Sequence, residues 1–259
     1  MEVAKKRRMD RIKFLLIFIF IILIIGSSAF RTQISFSDLW QGFPKIWETF
    51  IGMFPPDWSY FSYITGPMFD TIRIAILGTT FGGILSIPIV LLSSRNVTRS
   101  PILFYPARFI LNLIRTIPEL LLAALFVPIF GIGPTAGIFA ITVFSLGVIA
   151  KLAYEAVEAI DPGPLEAMTA VGANKIQWIF FGVVPQVAAY YMSYFLYSFE
   201  INVRAAVILG YVGAGGIGLI LDNVLTSFQY HRVISIIIYT LVVVIIIDFL
   251  SNKIREKLL

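Results

Sequence analysis

Five ionisable residues interrupt or border the long apolar stretches of this 259-residue chain: Arg115, Glu119, Lys151, Glu200 and Arg204. A charge inside a bilayer costs at least about 2.5 kcal/mol on insertion scales, so groups at such places are functional candidates by default. Asn202, between the last two, adds a neutral hydrogen-bond donor. A plainer reading stands beside this one. Arg115 and Glu119, and likewise Glu200 and Arg204, are four residues apart, and on a continuous helix each pair would neutralise itself on one face.

A second constellation is the stretch Asp161-Pro-Gly-Pro-Leu-Glu-Ala-Met-Thr-Ala-Val-Gly172-Ala-Asn174-Lys-Ile-Gln177, too polar to be embedded in lipid. It predicts two short helices. Asp161 suits an N-cap, Pro162 the first helical position, and Gly172 the left-handed residue that ends a helix. Asn174 with Gln177 three residues on resembles a capping box. The first helix carries small side chains, Ala167, Thr169 and Ala170, beside Glu166, so another protein could approach its backbone closely. A capped connector between two spans is the bland alternative.

Other chemistries are excluded. Gly213-Ala-Gly-Gly-Ile-Gly218 satisfies G-x-G-x-x-G, but it lies between apolar spans and lacks the strand, helix and acidic residue of a dinucleotide site. Its glycines, Gly213, Gly215, Gly216 and Gly218, suit either irregular backbone at an outer gate or close helix packing. No G-x-x-x-x-G-K-[ST] is present, so the chain cannot cradle nucleotide phosphates by the usual loop. With one histidine, His231, and no cysteine there is no metal cluster, disulfide or thiol nucleophile.

The elements that must position these residues are membrane helices. Apolar types make up 58% of the chain and charged types 14%, far from the balance of a water-soluble domain. Spans are expected at Phe14 to Ile25, Thr71 to Leu92, Ile102 to Ile129, Thr135 to Val157, Val183 to Leu209 and Val233 to Leu250. The net charge of +5 sits in short clusters beside these runs and reads as topological rather than as a nucleic-acid surface. Lys5, Lys6, Arg7, Arg8, Arg11 and Lys13 keep the N-terminus in the cytoplasm, together with Arg95 and Arg99, the Glu155 to Lys175 stretch, and the tail Lys253, Arg255 and Lys257. Ser27-Ser28-Ala29 could serve a signal peptidase, although retention as a first span is the favoured reading. From Ser37 to Met53, Leu39, Phe43, Ile46, Trp47 and Phe50 recur at helical spacing, as in an interfacial amphipathic helix. Trp40, Trp58 and Tyr60 read as interface anchors. The expected organisation is an appendage at 1–66, a membrane domain at 67–252 and a tail at 253–259.

The polar stretch resembles the signature of ABC-importer permeases, which runs Glu-Ala-Ala, three residues, Gly, nine residues, Ile, one residue, Leu-Pro. Glu166, Ala167, Gly172 and Pro185 match it, whereas Met168, Gly182 and Val184 depart, and Gly182 removes a packing side chain. The resemblance implies an all-α, type I importer permease of about six transmembrane helices, with a methionine-importer-like core. It implies that the Glu166 helix is a coupling helix seated in a cleft of an ATPase, with Asp161, Glu166, Ala167, Met168, Gly172 and Pro185 as coupling residues.

Further stretches look like permeases of phosphonate importers: Phe54-Pro-Pro-Asp-Trp-Ser-Tyr60, Arg115-Thr-Ile-Pro-Glu119, Glu158-Ala-Ile-Asp-Pro-Gly-Pro164 and Glu200-Ile-Asn-Val-Arg-Ala-Ala206. That likeness implies a pair of ATP-binding subunits, a second copy or sister permease, an extracytoplasmic solute-binding protein and a place in the cell membrane. It implies no cofactor in this chain, ATP and Mg²⁺ being used by the partner. Guanidinium groups match phosphonate oxygens in bidentate geometry, so Arg115 and Arg204 are candidates to pass the anion, with Glu119, Glu200 and Asn202 beside them. An importer of another small solute such as an amino acid, an ion-coupled secondary transporter using Glu119, and an intramembrane enzyme are the competing readings.

Overall fold

The computed structural model describes residues 2–32 and 36–258, and within these the side chains of 2–8, 36, 38 and 39 are left out. Lys5, Lys6, Arg7, Arg8 and Leu39 therefore lie, as side chains, outside the described residues. The chain forms two compact units, Met1–Gly52 and Met53–Leu259.

The first unit contains α1 (Glu2–Arg31) and α2 (Phe36–Gly52). From Phe14 to Ile25 every large side chain of α1 is exposed, and a helix apolar on all sides, long enough to cross a membrane, has lipid as its natural solvent. Along α2, Trp40, Phe43, Ile46, Trp47 and Phe50 are exposed at the predicted spacing.

The second unit is built from α3 (Tyr60–Ser93), α4 (Pro101–Thr116), α5 (Glu119–Phe130), α6 (Pro134–Glu158), α7 (Pro162–Ala170), α8 (Lys175–Gln177), a π-helical turn (Trp178–Val183), α9 (Val184–Leu209), α10 (Ile217–Thr226) and α11 (Tyr230–Leu258). Among the described residues, α1, α3, α6, α11 and the continuous Lys175–Val212 rod are long and apolar enough to span a membrane. The span expected at Ile102 to Ile129 is not one rod: α4 and α5 meet at 90°. Pro118 has no N–H to continue the ladder and drives the preceding Ile117 into extended conformation, at φ −88° and ψ 116°. The limits 66/67 and 252/253 of the expected organisation fall inside α3 and α11, and the two compact units meet at 52/53.

Three apolar clusters hold the second unit. One joins α3, α5, α6 and α9 around Ile74, Ile141, Val203 and Leu209. Another joins α3, α4, α6 and α9 to α7 around Leu111, Tyr154, Leu165 and Val187. The third joins α3, α10 and α11 around Ile64, Met68, Ile217 and Ile236. In lipid, helix association depends on close packing and polar ties rather than on apolar burial, and α3 meets α6 through small residues. A Cβ on Gly78 would lie 2.5 Å from Ile141, and one on Gly82 2.6 Å from Ser145.

Candidate functional site

The polar stretch folds as its local chemistry predicts. Asp161 is extended, and its Oδ1 accepts from the Gly163 N–H at 2.9 Å, with Pro162 at the first turn of α7. At the other end Gly172 has φ +74°, the Ala173 N–H reaches the Met168 carbonyl, and the Gly172 N–H reaches the Thr169 carbonyl. This pairing of last-turn carbonyls is the Schellman ending, which needs a left-handed residue. Nothing lies within 4 Å of a Cβ built on Gly172, so backbone conformation alone makes that demand. Asn174 and Gln177 close the capping box from both sides, at 2.9 and 3.0 Å.

Glu166, Ala167, Thr169 and Ala170 are exposed, whereas Leu165 is buried and anchors α7 to the bundle. The Trp178 indole N–H donates to the Leu165 carbonyl at 3.0 Å. Gly182 turns out to be a fitting residue rather than a missing one, because a Cβ there would come within 2.9 Å of the Leu165 side chain. The leucine occupies the space that the family's isoleucine would take. Gln186 ties α9 to the Asp161 backbone through both its amide oxygen and its amide nitrogen. Pro185 follows the π-helical turn at the start of α9, and Met168 is half-buried beneath α7.

Next to α7 the loop between α3 and α4 forms a second wall. Lys175 donates to the Val97 carbonyl, and the Arg95 N–H donates to Glu158, which also pairs with Arg108 at 2.6 Å. Arg108 stacks between Phe104 and Tyr154, 4.3 Å from each ring centre. A groove of about 570 Å³ runs between this wall and α7, lined by Arg95, Arg99, Leu165, Glu166 and Trp178. Exposed Val171 and Ile176 flank the tip of the segment.

Along the bundle, Arg115 and Glu119 do not meet, since the bend at Pro118 puts them on different helices, and no ion pair joins them among the described residues. Lys151 pairs with Glu155 one turn on. Glu200 and Arg204 do pair on one face of α9, at 2.9 Å. Two residues that the sequence reading passed over complete the cluster. Asp248 takes Arg204 Nη1 at 2.8 Å, and Arg255 Nη2 reaches the second oxygen of Glu200 at 2.8 Å. Asp248 was detectable as the lone acid in the α11 apolar run, whereas Arg255 read as part of a basic tail.

Asn202 sits on the opposite face of α9 and is fully buried. Its amide nitrogen donates to Thr79 Oγ1 at 2.7 Å on α3 and to Ser145 Oγ at 2.6 Å on α6. With both hydrogens committed and no exposed surface, it ties three helices together and offers no donor to a passing solute. At the far end, Gly213, Gly215 and Gly216 all have positive φ, and a Cβ on Gly218 would lie 2.0 Å from the Val207 carbonyl oxygen. The Ile217 N–H that follows donates to Thr71 Oγ1 at 2.8 Å. Gly218 permits close packing of α10 on α9, while Gly215 and Gly216 let the turn approach Pro134 and Thr71.

The model of the family "Binding-protein-dependent transport system inner membrane component" matches residues 86–258. The phosphite transport system permease protein PtxC of Stutzerimonas stutzeri is 34% identical over 85% of this chain and 80% of its own. The phosphate-import permease protein PhnE of Mycolicibacterium smegmatis is 41% identical over 73% of this chain and 36% of its own. Among solved structures, an inward-facing MetNI methionine ABC transporter superposes with a TM-score of 0.66 at 21% identity, covering 78% of this chain and 99% of that one. A multi-pass helical bundle, a capped segment on the permease signature and a family match over two thirds of the chain lead to one assignment: the chain belongs to the binding-protein-dependent inner-membrane components and is the permease subunit of an ABC importer.

Proposed function

We propose that this permease imports phosphorus oxyanions, phosphonates or relatives such as phosphite and phosphate. The support is the company it keeps, since similar permeases are named for phosphite and phosphate transport. In this reading an extracytoplasmic binding protein delivers the anion, and two ATP-binding subunits grip two permeases, either identical copies or sister chains. Both termini face the cytoplasm, as the clustered cations favour.

The observation that carries the mechanism is the build of α7, a short helix with both ends capped, a small-residue outer surface and one buried anchor, Leu165. Such a helix is rigid enough to be pushed and bare enough to be gripped. Glu166, Ala167 and Met168 form the gripped turn, Asp161 and Gly172 hold its ends, and Pro185 lies in the first turn of α9, the helix that takes up the push. Arg115, Glu119, Glu200 and Arg204 border the path in this reading, and Gly213 to Gly218 form its tightly packed outer closure.

The test is uptake by the full complex, permease with ATP-binding subunit and binding protein, in proteoliposomes. ATP-dependent accumulation of methylphosphonate, phosphite or phosphate, lost in Glu166→Arg, is expected. Accumulation of an amino acid instead, or uptake that survives ATP removal and collapses with the proton gradient, would overturn the reading.

A further inference from the structure

The cluster of Glu200, Arg204, Asp248 and Arg255 joins two apolar helices, α9 and α11, through charged side chains. Glu200 and Arg204 are within one turn of Asn202, in the apolar part of α9, while their partners Asp248 and Arg255 lie toward the end of α11 that carries Lys253 and Lys257. Yet the Arg204 side chain is 45% exposed and that of Asp248 29%. Charges left exposed on apolar spanning helices face a water-lined passage or another protein rather than lipid.

The donor count then matters. Three guanidinium nitrogen contacts, from Arg204 Nη1, Arg204 Nη2 and Arg255 Nη2, are taken by three carboxylate oxygens, Asp248 Oδ2, Glu200 Oε1 and Glu200 Oε2. Glu200 bridges the two arginines as a single bidentate anion would. Asp248 is held by one oxygen only, and its Oδ1 is buried without a partner, as is Arg255 Nε. Two acids balance two bases, so the resting cluster carries no formal excess charge.

We propose that this cluster is a relay site for a phosphorus oxyanion, at which the carboxylates stand in for the solute between transport events. Two oxygens of a phosphonate, phosphite or phosphate match the Arg204 fork, Nη1 and Nη2, because arginine forks recognise such oxygens in bidentate fashion. Asp248, the least anchored acid, is the one displaced first, while Glu200 keeps one arginine. Competition from the internal acids keeps binding weak, as a conduction site needs so that its ion can leave. The proposal rests on the phosphorus-oxyanion reading above and adds Asp248 and Arg255 to it.

The experiment uses the complete importer with radiolabelled methylphosphonate. Binding to the detergent-solubilised permease–ATPase complex, without binding protein, is measured alongside uptake in proteoliposomes. Asp248→Asn, which keeps the shape and removes the competing charge, is expected to tighten binding about tenfold and to lower maximal uptake about tenfold, because release slows. Asp248→Asn combined with Arg204→Gln restores the charge balance, and is expected to abolish the tight binding in a complex that still assembles. A role as a mere α9–α11 staple predicts unchanged binding and KM in both variants, and that result overturns the relay. Loss of the permease pair on size exclusion in Asp248→Asn would instead assign the exposed face to a second copy, and also overturns it. If the wild-type complex takes up no methylphosphonate, phosphite or phosphate, the parent reading falls with this one; if it does while the variants match it, only the relay falls.

Discussion

The capped segment from Asp161 to Gln177 and the charged face shared by α9 and α11 are both polar structures in an apolar protein, but they are held in opposite ways. In the first, the bonds that shape the helix ends join residues no more than five apart, Asp161 to Gly163, Met168 to Ala173 and Asn174 to Gln177, while longer-range bonds from Trp178, Gln186 and Lys175 only dock the finished segment on the bundle. In the second, Arg204 meets Asp248 and Glu200 meets Arg255 across 44 and 55 residues of chain. A local structure can be pushed as a unit without loss of shape. A long-range cluster holds only while two helices keep their register, so it reports on, or resists, their movement. In an importer the first suits a lever and the second a place that changes state.

Breaking the long-range cluster should have the largest effect. Glu200→Ala leaves two guanidiniums facing each other with one partner lost, and removing one member of a largely buried pair costs about 3 kcal/mol or more. A clear fall in thermal midpoint of the detergent-solubilised permease is expected, and an unchanged midpoint would show that the cluster holds nothing.

The junction between the two regions comes next. Gly182→Ile restores the family's usual residue but drives its Cβ toward Leu165, and overpacking of this kind costs about 1–3 kcal/mol. The expected signature is loss of ATP-driven uptake with the bundle still folded, and Gly182→Ile paired with Leu165→Ala should recover part of it. Should Gly182→Ile transport normally, the fit of α7 against the π-helical turn does not matter.

The smallest effect belongs to the local structure. Asp161→Ala removes one cap and should cost about 1 kcal/mol, with Asp161→Asn or Asp161→Ser nearly neutral. Amide exchange confined to α7 would report it, and a global loss of stability would mean that the segment is not the independent unit described.

The same contrast explains what could be read from sequence. The caps, the left-handed Gly172 and the capping box were legible because each is written in adjacent residues with a fixed stereochemical preference. The spans were legible from their length and apolarity. The bend at Pro118 was available from the preceding-residue rule, yet the unbroken apolar run from Ile102 to Ile129 outweighed it, and with the bend went the expected pairing of Arg115 with Glu119. Asn202 was recognised as unusual but not as buried, because its partners Thr79 and Ser145 lie 123 and 57 residues away. Gly182 looked like a lost side chain until Leu165 was seen filling its place.

The central claim, that α7 and its flanks are the surface an ATP-binding subunit grips, can be tested with unusual cleanliness because the chain has no cysteine. Val171→Cys, at a position 76% exposed on the tip of the segment, provides a single thiol for cross-linking in the assembled complex. The account predicts a cross-link to the ATP-binding subunit whose yield changes when ATP is added, and no labelling of that thiol by an impermeant maleimide applied from outside intact cells. Labelling from outside, or a complex that assembles and hydrolyses ATP while Val171→Cys never cross-links to that subunit, would contradict it.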